Sequence, residues 1–208
     1  MTAPMVRSFP HALVVFDLFG IAVFAVSGAL LAAEKKLDLV TFVFFAAITG
    51  VGGGTLRDLL IGAPVFWIRT NVTLLICIGA ALAVWFLSAR RISSKAVDWF
   101  DAAGMAAYAT YGSAQAIGFG VAPVPAFAMG VLTACFGGIV RDVLAGVPSI
   151  LMRHELYVSA AALAAGLFVG LSIAGMSVWP AAAAAVVAGF FLRAMAITRG
   201  WRLPPYKA

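Results

Sequence analysis

The residues with the means to do chemistry in this chain are two Arg-Asp pairs, Arg57-Asp58 and Arg141-Asp142. Each pair closely follows a glycine run in an otherwise apolar stretch: Gly52, Gly53 and Gly54 in the first, Gly137 and Gly138 in the second. An ionised side chain in hydrocarbon costs at least about 2.5 to 3.5 kcal/mol on insertion scales, so these four must face protein or water and be paired. Asp17 and Asp101 are the expected partners, Asp17 with Arg57 and Asp101 with Arg141. Such groups either shape a path for a charged solute or act as buried clamps between helices.

The glycines carry two readings as well. Gly lowers helix stability by about 1 kcal/mol relative to Ala, so a kink or break is expected at each run. Backbone groups freed there cannot face lipid and must meet protein or a water-filled cavity. The other reading is close helix packing, which is preferred for Gly20, Gly28, Gly104 and Gly112. Thr49, Gly53 and Arg57 recur every four residues, as do Thr133, Gly137 and Arg141, so each trio forms one stripe on a regular helix. The hydroxyls of Thr49 and Thr133 could line a polar path, although Thr in membrane helices more often bonds its own carbonyl four residues back.

The elements that must position these groups are apolar helices. Of the 208 residues, 64% are hydrophobic and 11% charged, against roughly one-quarter charged in a soluble domain. A slab of about 30 Å takes about 20 apolar residues per crossing, which accommodates seven crossings and no soluble domain beside them. The expected segments are Ala12 to Ala33, Leu39 to Leu60, Val72 to Ala89, Val97 to Ile117, Pro123 to Leu144, Leu156 to Ala174 and Val178 to Ile197. The first has Arg7 before it and Ala29, Ala32 and Ala33 within it, as a signal peptide could. An internal repeat argues that it is retained.

Shifting the chain by 84 positions aligns Phe16 to Arg69 with Phe100 to Arg153, with 17 identities in 54 positions. Asp17 falls on Asp101, Gly20 on Gly104, Gly28 on Gly112, Thr49 on Thr133, Arg57-Asp58 on Arg141-Asp142, Gly62 on Gly146 and Pro64 on Pro148. Residues 12–90 and 97–174 are thus read as two three-helix repeats within one membrane domain, 1–208, with 178–197 as an unpaired seventh helix. Three crossings are an odd number, so the second copy enters from the opposite side and the repeats are inverted.

Basic residues set the orientation. With the N-terminus outside, the inner side collects Lys35, Lys36, Arg90, Arg91, Lys95, Arg141, Arg153, Arg193, Arg199, Arg202 and Lys207, leaving Arg7, Arg57 and Arg69 outside. The positive-inside rule selects N-out, C-in. Trp67, Trp99, Trp179 and Trp201 fall near segment ends, where indoles settle at the interface.

Several classes are disfavoured. Cys77 and Cys135 lie in apolar runs and are expected as buried thiols rather than a disulfide. His11 and His154 are two isolated imidazoles far apart in sequence, so no metal site is expected. The net charge of +6 comes from residues scattered through short loops, which does not suggest a nucleic-acid partner. An aspartyl dyad of Asp58 and Asp142 is disfavoured because inversion sends them toward opposite faces. No enzyme activity and no cofactor are expected.

At the glycine-arginine-aspartate motifs the chain resembles the bacterial branch of the trimeric intracellular cation (TRIC) channel family, recognised by paired Gly-Gly-Gly-x-x-Arg-Asp motifs. The first is complete in Gly52-Gly53-Gly54-Thr55-Leu56-Arg57-Asp58, and Phe136 replaces the first glycine of the second. The resemblance implies a homotrimer embedded in membrane lipids, with an hourglass-shaped pore in each subunit lined by kinked helices two and five. The permeant species would be monovalent cations, chiefly potassium, with sodium as an alternative. It maps the kinks to Gly52, Gly53, Gly54, Gly137 and Gly138, and the motif charges to Arg57, Asp58, Arg141 and Asp142. The same sequence family also carries the label of glycine transporter. A secondary carrier would hold a zwitterion's carboxylate on Arg and on positive helix ends. A channel needs those arginines neutralised, since an unpaired one would repel the cation. A bacterial inner-membrane location is expected.

Overall fold

Seven α-helices form among the described residues of the computed structural model, which are 11–87, 95–152 and 155–204. They are α1 (His11–Glu34), α2 (Leu39–Ile61), α3 (Asn71–Leu87), α4 (Ala96–Gly118), α5 (Pro123–Leu144), α6 (Tyr157–Ile173) and α7 (Val178–Arg199). Arg7, Arg90, Arg91, Arg153, His154 and Lys207 lie outside the described residues, as does the expected end of the third segment at Ala89, and the side chain of His11 is likewise outside them.

Local chemistry sets the helix ends. Asp38 caps α2, its Oδ1 accepting the Thr41 N–H at 2.9 Å and its Oδ2 the Thr41 hydroxyl at 2.9 Å. The helix stops at Gly62, whose φ of 70° lets its N–H turn back to the carbonyls of Asp58 and Leu59. Pro123 occupies the first turn of α5, where a missing N–H costs nothing, and Gly146 follows that helix with φ of 64°. Pro64 and Pro148 then lead into short 3-10 helices, Phe66–Arg69 and Ile150–Met152. Trp67, Trp99, Trp179 and Trp201 all sit at or just beyond helix ends.

Four helices, α1, α2, α5 and α7, are long and apolar enough to cross a membrane among the described residues. Helices α3 and α6 have 17 residues each, about 26 Å at the rise of an α-helix. Helix α4 is long but carries Asp101, Tyr108, Thr110 and Ser113, all buried. It tolerates them because α1, α5, α6 and α7 surround it. An enclosed helix is selected for fit and hydrogen bonding rather than for solubility in lipid.

Packing repeats in pairs. Helix α1 lies against α2 and α3 as α4 lies against α5 and α6, while α1 meets α4 and α2 meets α5. Helix α7 packs on α4 and α6. At the α1–α4 contact a Cβ on Gly20 would strike the Tyr108 ring, and a Cβ on Gly104 would strike the Phe24 ring at 3.0 Å. Gly20 corresponds to Gly104 and Phe24 to Tyr108 in the 84-residue alignment, so the contact is exchanged between the copies. Exchange of this kind is what a two-fold relation requires. The two rings meet each other with centroids 5.4 Å apart. Gly28 closes on the Phe45 carbonyl and Thr49 hydroxyl of α2, and Gly112 on Thr133 and Gly130 of α5. All four glycines therefore serve close packing.

The cap at Asp38 is sensitive to pH. Hydrogen bonds from the Thr41 N–H and hydroxyl hold its carboxyl below the usual carboxylate range. A folded-state pKa depressed below the unfolded value stabilises above the latter and is lost as pH falls through the former. Asp38→Ala is expected to lower the thermal unfolding midpoint modestly at pH 7. The difference from wild type should shrink as pH falls below about 4 and vanish well below it, as read by unfolding scans across pH.

Candidate functional site

Helices α2 and α5 remain helical throughout their glycine runs, where a kink or break is expected, and neither helix is interrupted there. The glycines instead bring the two backbones together. A Cβ on Gly53 would fall on the Thr133 carbonyl, and a Cβ on Gly137 would fall on the Thr49 carbonyl. This contact too is exchanged between repeat-equivalent positions. A Cβ on Gly52 would lie 3.5 Å from the Gly137 Cα, so Phe136 in place of a third glycine leaves the crossing intact. All five glycines are buried.

Thr49 and Thr133 stand at the same crossing, and their hydroxyls bond their own helices. Each donates to a carbonyl one turn back, Thr49 to Phe45 at 2.7 Å and Thr133 to Met129 at 2.6 Å. A hydroxyl in an apolar helix bonds the nearest backbone acceptor when no other partner is at hand.

One turn beyond the crossing lie the charges, built alike in both copies. Nε and Nη2 of Arg57 donate to Asp58 Oδ1 at 2.9 and 2.7 Å, and those of Arg141 to Asp142 Oδ1 at 2.9 and 2.8 Å. The other carboxylate oxygen accepts a backbone N–H eight residues on, Phe66 for Asp58 and Ile150 for Asp142, each at 2.9 Å. Each aspartate thus fixes its arginine and ties the following 3-10 turn to the helix end. All four side chains are buried, and the two N–H groups of each guanidinium converge on one carboxylate oxygen, which offsets part of the desolvation.

The third carboxylate of each centre behaves differently. Asp101 pairs with Arg141 as expected, its Oδ1 2.7 Å from Nη1, and the Ser27 hydroxyl accepts from the same nitrogen at 2.5 Å. Asp17 does not pair with Arg57. It accepts instead from the Tyr108 hydroxyl at 3.1 Å, and Nη1 of Arg57 has no hydrogen-bond partner among the described residues. The Arg57 guanidinium lies over the Tyr111 ring at 5.2 Å and the Phe66 ring at 5.8 Å. Phe66 also packs on Gly54, whereas at the equivalent Gly138 the neighbour is the Asp101 carboxylate. An aromatic ring thus fills the space in the first centre that a carboxylate fills in the second.

The positional repeat in the sequence could not reveal this difference, because Ser27, Phe24 and Ile150 read as ordinary apolar or small residues until their counterparts Tyr111, Tyr108 and Phe66 are set beside them. Arg193 was also legible only as a basic residue near a helix end. It is fully buried on α7, paired with Glu155 Oε2 at 2.7 Å and over the Tyr157 ring at 5.3 Å. Its signal was an arginine inside an apolar run. A backbone bridge between Glu155 and Arg202 fastens the segment after α7 to the same place. Cys77 and Cys135 are buried free thiols, and no group of three or more metal-ligating side chains occurs among the described residues.

This arrangement of helices is that of a known class of membrane protein. The structure superposes on the TRIC trimeric intracellular cation channel orthologue from Rhodobacter sphaeroides with a TM-score of 0.89 and 40% identity, covering 92% of this chain and 100% of that one. The protein is thus an all-helical, multi-pass membrane protein with a TRIC channel fold. The chain belongs to the family described as Glycine transporter, whose model matches it twice, over residues 14–89 and 98–173. Both boundaries of the second match lie 84 residues after those of the first. A UPF0126 membrane protein of Vibrio cholerae is 43% identical over 155 residues, covering 71% of this chain and 63% of that protein's length. The UPF0126 inner membrane protein YadS of Escherichia coli is 35% identical over 147 residues, covering 69% and 71% respectively.

The crossing predicts a contrast among glycines. Gly53→Ala and Gly137→Ala each force a methyl into a facing carbonyl and should destabilise by about 1 to 3 kcal/mol. Gly79→Ala on α3, where a Cβ meets nothing within 4 Å, should stabilise by about 0.5 to 1 kcal/mol. Thermal unfolding of the three variants in one detergent checks both signs.

Proposed function

We propose that this protein is a monovalent cation channel of the inner membrane, potassium-permeable, with a pore in each subunit of a homotrimer. The observation that carries the reading is the charge of the two centres, the second fully buried and the first buried except for the half-buried Asp17. Asp17, Arg57 and Asp58 sum to one negative charge, as do Asp101, Arg141 and Asp142, and Asp58 and Asp142 already hold the guanidinium groups. Each arginine is therefore neutralised by its chain neighbour, and the surplus in each centre is a carboxylate. A negative surplus in surroundings of low dielectric favours a cation over an anion. The likeness to a cation channel of 40% identity supports the same sign of charge.

On this reading all seven helices cross the bilayer, N-out and C-in, in two inverted repeats, with the short α3 and α6 matched to local thinning of the slab. Permeation requires α2 and α5 to part or bend at Gly53 and Gly137, where the Thr133 and Thr49 carbonyls now close the gap. Once parted, those carbonyls would face the opened space and could replace part of an ion's hydration shell.

Purified protein in planar bilayers under a potassium chloride gradient is expected to give discrete current steps reversing toward the potassium potential. Asp101→Asn should reduce the cation conductance severalfold. Saturable glycine uptake into proteoliposomes without current steps would replace the channel with a carrier.

A further inference from the structure

The two charge centres are built from repeat-equivalent residues, yet one is fastened to its surroundings and the other is not. Arg141 on α5 is bonded across helix boundaries to Asp101 on α4 and Ser27 on α1. Arg57 on α2 bonds only Asp58 of its own helix, and Asp58 in turn holds Phe66 of the adjoining turn. Trp67, in that turn, donates to Thr55, again on α2. No hydrogen bond or ion pair links this assembly to α1 or α4 among the described residues. The contact it does make is the face of the Tyr111 ring under the guanidinium.

Two repeat-equivalent positions account for the difference. Position 24 in the first copy is Phe and its counterpart is Tyr108, so position 108 offers Asp17 a hydroxyl where position 24 offers Asp101 none; the hydroxyl beside Asp101 is that of Tyr157 on α6. Position 27 is Ser and its counterpart is Tyr111, so Arg141 gains a hydroxyl where Arg57 gains a ring. Asp17 interacts electrostatically with Arg57 without touching it, and the Arg57 Nη1 left bare is buried. A buried donor on a cation without an acceptor is costly, so the arrangement is poised between two partners for one carboxylate.

From this we propose that Tyr108 and Arg57 compete for Asp17, making the first charge centre a two-position latch on α2 while the second centre remains permanently fastened. With Asp17 on Tyr108, the end of α2 carrying Arg57, Asp58 and the Phe66 turn is free to move as a unit away from α5. With Asp17 on Arg57, α2 is tied to α1 as α5 is tied to α4. The latch gives the α2–α5 crossing an asymmetric opening motion, and Tyr108 is a positioning residue that acts through Asp17. The gating consequence rests on the channel reading, whereas the competition for Asp17 does not.

Tyr108→Phe installs the residue found at the equivalent position 24, and Phe24→Tyr makes the reverse change. Amide hydrogen exchange in nanodiscs is expected to be faster over residues 54–61 than over the equivalent residues 138–145 in the wild type. Tyr108→Phe should slow the first segment, and Phe24→Tyr should speed the second by drawing Asp101 from Arg141. In bilayers Tyr108→Phe should lower open probability about tenfold, the scale of one charge-assisted hydrogen bond, with unit conductance unchanged. Equal exchange of the two segments in the wild type, or no change on Tyr108→Phe, overturns the latch. The expected exchange pattern in a protein that passes no current upholds the latch and overturns the channel.

Discussion

Everything in this bundle is arranged around two backbone carbonyls that rest where side chains would otherwise stand. The Thr133 carbonyl occupies the Cβ position of Gly53, and the Thr49 carbonyl that of Gly137. Because neither helix has a side chain at the crossing, α2 and α5 approach to backbone contact without either losing its hydrogen-bond ladder. In a membrane, where lipid and Leu are equally apolar, close approach of this kind supplies the dispersion energy that burial supplies in water. It also fixes the height at which the charged residues one turn away are held.

Those charges are tolerated because each is satisfied locally before it is shared. The Arg-Asp neighbours form a unit on one helix in which two N–H groups share one carboxylate oxygen, and the spare aspartate oxygen takes up a backbone N–H of the following turn. A unit of this sort needs no partner from another helix to survive burial, so its cross-helix contacts are free to serve something else. In the second copy they serve fastening, through Asp101 and Ser27. In the first they are left to aromatic faces, which hold a guanidinium but do not fix its orientation as an ion pair does. Two copies that share 17 of 54 residues have thus diverged in how one pair of corresponding sites is bonded.

Helix α7 stands outside this pairing, and its anchoring uses different chemistry. Arg193 is buried against Glu155 and Tyr157 at the start of α6, and Gly189 closes on Ala160 and Ala164. The added helix packs mainly on the second copy, through α4 and α6, and reaches the first where the Trp179 ring meets that of Phe16 on α1. The second copy is the one whose charge centre is bonded across helix boundaries.

The sequence by itself determined the helices, their ends to within a few residues, the repeat, and the identity of all six charged residues at the centres, because apolar length, caps such as Asp38 and Gly62, and an 84-residue self-similarity are written in one dimension. It also pointed rightly to Asp101 and Arg141 as a pair, since equivalent positions imply equivalent depth. What it could not decide was whether the glycines at 52–54 and 137–138 loosen a helix or seat one against another, because lost helix propensity and gained close approach have the same residue signature. Nor could it decide where Asp17 turns, since that choice depends on a hydroxyl 91 residues away at Tyr108. Bond direction and ring placement at distances of about 3 to 6 Å are properties of packing in three dimensions, and only the tertiary structure holds them.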